Sequence, residues 1–228
     1  MKKRVFYTEA AYPVGIIALA LGTAFMEKAD FGVSMVVAPA YLLYLKLNQV
    51  FPFVTFGMAE YMLQAFLLLV LCFTLRRFRV SYLFSFVTAV IYGFTLDGCM
   101  GLVALIGADI AILIRLVLYL SGMLVCAVGV SLLFHTYIAP EVYELAVKEI
   151  SAKFGFNIIH VKTLYDCVSC LVAVLLSFAF FGLWHFEGVK LGTIFCALVN
   201  GTIIGFFSRS FERFFDFRDG LKLRRYFA

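Results

Sequence analysis

Phe31-Gly-Val-Ser-Met-Val-Val-Ala-Pro-Ala-Tyr-Leu-Leu-Tyr-Leu45 is the apolar stretch whose path through a membrane sets the topology of everything after it. Its fifteen uncharged residues fall short of the ~20 that a helical crossing needs, and Pro39 in the middle breaks or kinks a helix. If it crossed, Arg76-Arg77-Phe78-Arg79 would face outward, against the tendency of Lys and Arg to stay cytoplasmic. Read as a re-entrant or interfacial segment, it lets every basic cluster fall inside. Those clusters are Lys2-Lys3-Arg4, Arg76 to Arg79, and the tail from Arg209 to Arg225.

Charge-poor runs on either side supply six spans: Ala10 to Met26, Gln49 to Leu75, Val80 to Leu96, Ile110 to Phe134, Ile158 to Phe186 and Leu191 to Ser208. Both termini are then cytoplasmic. The basic N-terminus followed by an apolar run mimics a secretory signal. The run belongs to a repeated unit, however, so it reads as an uncleaved first span.

The repeat shows in paired glycines. Gly15 and Gly22 are seven apart near the start of one apolar half, and Gly122 and Gly129 are seven apart at the start of the other. Tyr92-Gly93-Phe94 is matched by Ile204-Gly205-Phe206 at the far ends. With six spans, the first begins inside and its partner, the fourth, begins outside. The expected fold is therefore all-α and integral to the membrane, with two inverted three-helix repeats. Residues 1–106 form the first repeat, with the broken segment at 31–48. Residues 107–209 form the second, with an amphipathic helix at 140–155. Residues 210–228 form a basic, aromatic cytoplasmic tail.

Composition agrees. Apolar residues make up 64% of the 228 and charged ones 14%, with mean hydropathy +1.02, whereas soluble domains carry about 25% charge. One core cannot hide that much apolar surface, so lipid must cover part of it. The net charge of +5 collects beside apolar runs, which argues for the membrane and against nucleic acid.

An ionisable side chain at the bilayer centre costs about 2.5–3.5 kcal/mol, so each one calls for a reason. Glu60 and Asp166 lead, at equivalent places near the start of the second span of each half. Lys162, four residues before Asp166, offers it an intrahelical ion pair. Glu60 has Gln64 at the same spacing. Arg115 either snorkels outward or turns inward to Glu60, Asp97 or an anionic ligand, with Tyr119 one turn on. Ser34 and Tyr41 lie in the broken segment, where bare backbone is tolerated only if it lines a cavity or meets a ligand. Asp97 and Asp109 read as solvated loop ends. In the helix at 140–155, Glu141, Glu144, Lys148 and Ser151 read as the solvent face of a surface-lying element. Gly201 and Gly205 read as a helix-packing motif.

Cys167-x-x-Cys170 lies inside a span rather than after a strand, so all six cysteines read as small hydrophobes. No zinc-type spacing and no phosphate-binding loop is present in the sequence, so no metal, cofactor or enzymatic activity is expected.

Three segments carry a resemblance. Ala29-Asp30-Phe31-Gly32-Val33-Ser34 resembles the A-D-x-G-[VI]-[SG] opening of the YczE/YyaS/YitT group of bacterial membrane proteins. Val161-Lys162-Thr163-Leu164-Tyr165-Asp166 resembles that group's basic-Thr-x-x-acidic segment. Gly188-Val189-Lys190-Leu191-Gly192-Thr193 resembles its G-x-G-x-G-T turn, with Lys190 in place of the middle Gly. The chain departs from the group at Met35-Val36, where a Pro-Trp step is usual, and at Ala139-Pro140-Glu141. The resemblance implies a multi-pass protein of the bacterial cell membrane, of a group described as permeases without an assigned substrate.

Residues and resemblance together predict a small transporter or permease for an unidentified small solute, with a cavity between the two repeats. The candidate lining or coupling residues are Glu60, Gln64, Arg115, Asp166, Ser34, Tyr41 and Tyr119. The alternative is a ligand-binding or regulatory membrane subunit that works through a partner. Expected partners are the lipid bilayer and a small-molecule ligand. A second copy or a partner subunit would join through the membrane helices or the C-terminal tail.

Overall fold

The computed structural model describes residues 3–107, 110–182 and 188–221, so Asp109, His185 and the end of the tail lie outside the described residues. Among the described residues, six helices are long and apolar enough to cross a bilayer: α1 (Thr8–Ala29), α3 (Phe56–Leu75), α4 (Ser81–Ala104), α5 (Ile112–Phe134), α7 (Ile158–Phe181) and α8 (Leu191–Phe214). Each has 20 or more residues and so reaches about 30 Å or more. Their outward faces are apolar, with Phe66, Phe73, Leu113, Val117, Leu164, Leu175 and Leu198 exposed. This is a multi-pass membrane protein.

Two helices are half that length. Helix α2 (Ala38–Asn48) has 11 residues and α6 (Val142–Phe154) has 13, so they reach about 16 and 20 Å. Pro39 does not kink the middle of a helix as expected. It sits in the first turn of α2, where its missing N–H costs nothing. Pro140 stands outside α6, just before its N-cap residue Glu141. Chain from Met35 to Ala40 is buried, so this segment enters the bundle instead of lying on its surface.

The longest helix contact is α1 against α5. A Cβ on Gly22 would lie 2.6 Å from the Gly122 carbonyl oxygen, and one on Gly129 would lie 2.7 Å from that of Gly15. Pairing 22 with 122 and 15 with 129 makes the two helices antiparallel, and backbones approach this closely only where side chains are missing. Most of the remaining packing comes in matched pairs, although α6 also touches α4 without a like contact between α2 and α8. Helix α1 packs on α4 and α5 on α8; α3 packs on α4 and α7 on α8. Helix α2 touches α3 and α7, while α6 touches α7 and α3. Gly201 and Gly205 seat α8 on Thr163 and Ile159 of α7, which agrees with a packing role.

Two short strands add to the helices. β1 (Arg4–Tyr7) pairs in parallel with β2 (Phe215–Arg218), with Arg4 opposite Phe215, so the start of α1 and the end of α8 lie on one side of the bundle. An even number of crossings requires that.

At the other end of α1 the segments around 30 and 190 interlock. Asp30 is left-handed (φ 57°) and closes α1. Gly192 N–H donates to Phe31 O at 3.1 Å, Val33 N–H donates to Gly188 O at 3.2 Å, and Thr193 Oγ1 donates to Val33 O at 2.9 Å. A Cβ on Gly32 would run into Thr193, and its φ of 105° suits glycine alone. Asp97 is not a solvated loop end. It accepts from the Gly57 N–H at 2.9 Å and from Thr55 Oγ1 at 2.7 Å, fixing α4 to the start of α3.

Candidate functional site

The interior holds an acidic cluster. Glu60, Glu141, Glu144, Asp166 and Lys162 are each no more than 2% exposed. Four carboxylates face one ammonium, a formal excess of three negative charges in a medium that tolerates few.

The cluster divides into two parts. Lys162 Nζ lies 3.0 Å from Asp166 Oδ1, one helical turn away, and 3.4 Å from Glu144 Oε1. The expected intrahelical pair is therefore present, but it is buried rather than at a surface, and it is shared with a second acid. The other part has no cation. Gln64 Nε2 donates to Glu141 Oε2 at 2.8 Å and lies 3.4 Å from Glu60 Oε1, while Gln64 Oε1 accepts from the Val142 N–H at 3.0 Å. The Tyr143 hydroxyl faces the Glu60 carboxyl. One glutamine thus joins two carboxyl groups and caps the start of α6.

These contacts overturn the reading of α6 as a surface-lying helix. Glu141 and Glu144 point inward because Gln64 and Lys162 meet them there, which offsets the cost of burying them, whereas Lys148, Glu149 and Ser151 are half-buried and Lys153 is exposed. Burial pushes the Glu141 carboxyl well above its ordinary range, and the neighbouring charges of Glu144 and Glu60 push it further.

Beside the cluster is a cavity of about 20 Å³, room for about one water molecule. Thr23 of α1, Ser34, Tyr92 of α4, Cys126 of α5, Glu141, Glu144, Lys162 and Asn200 of α8 contribute to its wall. Val37 and Glu141, the residues that precede the first turns of α2 and α6, both line it, so the two half-length helices start at one place. Thr23 and Tyr92 hydroxyls bond each other at 3.1 Å on its wall. Four buried oxygens of lining side chains have no hydrogen-bond partner: Glu141 Oε1, the Tyr143 hydroxyl, Glu144 Oε2 and Asn200 Oδ1. Among the described residues, no three His, Cys, Asp or Glu side chains are gathered to hold a metal ion.

Four of the seven predicted residues meet here. Glu60, Gln64 and Asp166 belong to the cluster, and Ser34 lines the cavity. The other three do not. Arg115 reaches neither Glu60 nor Asp97, because it sits in the first turn of α5, opposite the end of antiparallel α1. Its Nε donates to Ala29 O at 2.8 Å, its Nη2 lies 2.9 Å from Asp30 Oδ2, and its guanidinium covers the Phe31 ring at 5.3 Å. Lys190 pairs with the same Asp30. Tyr119 donates to Gly192 O at 2.5 Å, joining α5 to α8. Tyr41 packs on Phe56 with ring centroids 5.2 Å apart.

A family of unknown function, DUF6198, has a model that matches residues 6–209. The chain belongs to this family. No curated protein and no solved structure matches it. Every member of the acidic cluster lies inside the DUF6198 region, whereas β2 lies beyond it.

Sequence reasoning missed Glu141, Glu144, Tyr143, Asn200, Thr23 and Tyr92. One signal was available for the first two: Ala-Pro occurs at 38–39 and again at 139–140, immediately before chain that enters the core.

Proposed function

We propose that this protein is a small secondary transporter of the bacterial cell membrane, built as two inverted three-span repeats with its site at their interface. The observation that carries the reading is the small cavity between the halves, walled by two buried carboxyl groups of which Glu141 has no ion-pair partner. Such groups are expensive in a bilayer and are kept where they bind or move something.

Architecture supports the same reading. Exchanging α1 with α5, α2 with α6, α3 with α7 and α4 with α8 turns the matched helix contacts into one another. The glycine contacts obey the same exchange, since 15 and 22 correspond to 122 and 129. A two-fold axis in the membrane plane has this effect, and it is the geometry of transporters whose halves rock about a central site. Half-length helices starting at the cavity fit it as well, since broken backbone at membrane depth belongs where a site is lined. The basic residues near both termini fit a cytoplasmic side for those ends. The resemblance to YczE/YyaS/YitT permeases points the same way.

Partner-dependent action loses one of its supports, because the helix expected to lie on the surface is buried at its N-terminal half. The test is solute uptake into proteoliposomes containing the purified chain alone, screened with labelled amines, amino acids, vitamins and small anions. Uptake lost in Glu141→Gln, with the fold retained by circular dichroism, supports the reading. Folded protein that moves none of them, yet copurifies with a stable partner, overturns it.

A further inference from the structure

We propose that the cavity between the repeats is a binding site for one small monovalent cation of the size of Na⁺. The inference rests on the transporter reading only for its purpose as a coupling ion; the site itself stands on geometry.

Of the four unpaired atoms of the cavity wall, the Tyr143 hydroxyl faces Glu60 and the other three are acceptors. Glu141 Oε1 and Glu144 Oε2 come from α6, and Asn200 Oδ1 comes from α8 across the space. Asn200 is 95% buried, as its exposure is 5%, and it carries no charge of its own, so its bare oxygen asks for a donor or a cation independently of the acids. A cavity of about 20 Å³ admits a group no larger than about one water molecule. The charge that faces the cavity stays negative after Lys162 is counted, because Lys162 is held by Glu144 and Asp166 while Glu60 and Glu141 share only Gln64. A divalent ion would need either the several waters that Mg²⁺ keeps or the six to eight oxygens that Ca²⁺ takes, and a space for about one water does not hold them. A singly charged ion needs fewer charged ligands, and neutral oxygens such as the Asn200 carbonyl and the Thr23 and Ser34 hydroxyls complete its shell.

Groups facing Glu141 from the surrounding helices are Tyr12 of α1, Glu60 of α3, Tyr92 of α4, Glu144 of α6 and Lys162 of α7. Cys126 of α5 lines the same space. Lys162 is the single cation among them, so protons and Na⁺ compete for the same oxygens, and Na⁺ binds more tightly as pH rises.

The test is thermal unfolding of the detergent-purified full chain in a Na⁺ titration, with N-methylglucamine keeping ionic strength constant and K⁺ and NH₄⁺ as comparison ions. The expected result is a saturable rise in melting temperature with Na⁺. Its half-maximal concentration falls between pH 6 and 8, with roughly tenfold weaker binding in Asn200→Ala. Glu141→Gln abolishes the shift. Should that variant unfold, Asn200→Ala alone decides, because it leaves every charge in place. A melting temperature that follows pH but ignores Na⁺, K⁺ and NH₄⁺ overturns the proposal and assigns protons to the carboxyl groups. Solute uptake by protein whose melting temperature ignores Na⁺ overturns this inference and leaves the transporter reading. Saturable Na⁺ binding without any flux supports the site and removes the transporter reading.

Discussion

Gln64 and Glu141 lie 77 positions apart in sequence and meet at 2.8 Å in the interior, linking a spanning helix to the start of a half-length one. The same amide also serves Glu60 and the backbone of Val142. Gln64→Leu therefore leaves two carboxyl groups and one N–H bare at once. Unmade buried hydrogen bonds cost about 1–3 kcal/mol each, so a loss of at least about 2 kcal/mol is expected. Thermal unfolding followed by circular dichroism should show it. Gln64→Leu combined with Glu141→Leu should recover part of the loss, because the orphaned acid goes with its partner.

The glycine seam makes a different prediction. Gly22→Ala and Gly122→Ala each place a methyl within 2.6–2.7 Å of the opposite carbonyl oxygen, so α1 and α5 must move apart. Overpacking of this kind costs about 1–3 kcal/mol. The double variant should cost less than the sum of the singles, since one separation relieves both. Gly101→Ala, in α4 with nothing within 4 Å, should be neutral or stabilising by about 0.5–1 kcal/mol. Equal losses at Gly101 and Gly22 would mean that helix propensity, not contact, governs these positions.

Lys162 holds the charge balance of the other part of the cluster. Lys162→Met strands Glu144 and Asp166 in the interior, and removing one side of a buried ion pair costs about 3–5 kcal/mol. Adding Glu144→Gln and Asp166→Asn should restore much of that stability. If Lys162→Met unfolds no more easily than the native chain, the two acids are already protonated and the lysine is not their counter-ion.

The legible parts of the sequence were those that lipid dictates. Runs near 20 apolar residues gave the six crossings because only helices of that length satisfy their backbone in a bilayer. Boundaries drifted where a charge that looked terminal was taken up inside. Helix α4 runs past Asp97 to Ala104, because Thr55 and Gly57 bind that carboxylate. The glycines at 15, 22, 122 and 129 were visible as a pattern, though not as contacts between each other. The β1–β2 pair was invisible, since four-residue strands leave no periodicity.

The site was half legible for a physical reason. Glu60 stood out because nothing charged is near it in sequence, and Asp166 because Lys162 is. Glu141 and Glu144 looked ordinary, since an amphipathic pattern cannot say whether its polar face meets water or a buried Gln64. Arg115 was visible as an intramembrane charge, but its partner, Asp30, lies at a turn 85 positions away. Pairing across that distance depends on α1 and α5 running antiparallel, which no local spacing encodes.

Stability should fall as pH rises. The unfolded chain gives up the Glu141 proton near about 4.3, whereas burial with Glu144 and Glu60 close by keeps it bound in the folded protein to well above that value. The folded state therefore holds more protons between the two values. Its advantage is full below the lower one and is lost as pH rises through the higher. Melting temperatures taken from pH 5 to 9 in a buffer free of alkali ions should decline, and Glu141→Gln should flatten the decline because its amide does not titrate. A native curve that rises with pH would mean that Glu141 is ionised in the fold and stabilised by its place at the start of α6, reversing the sign of its contribution.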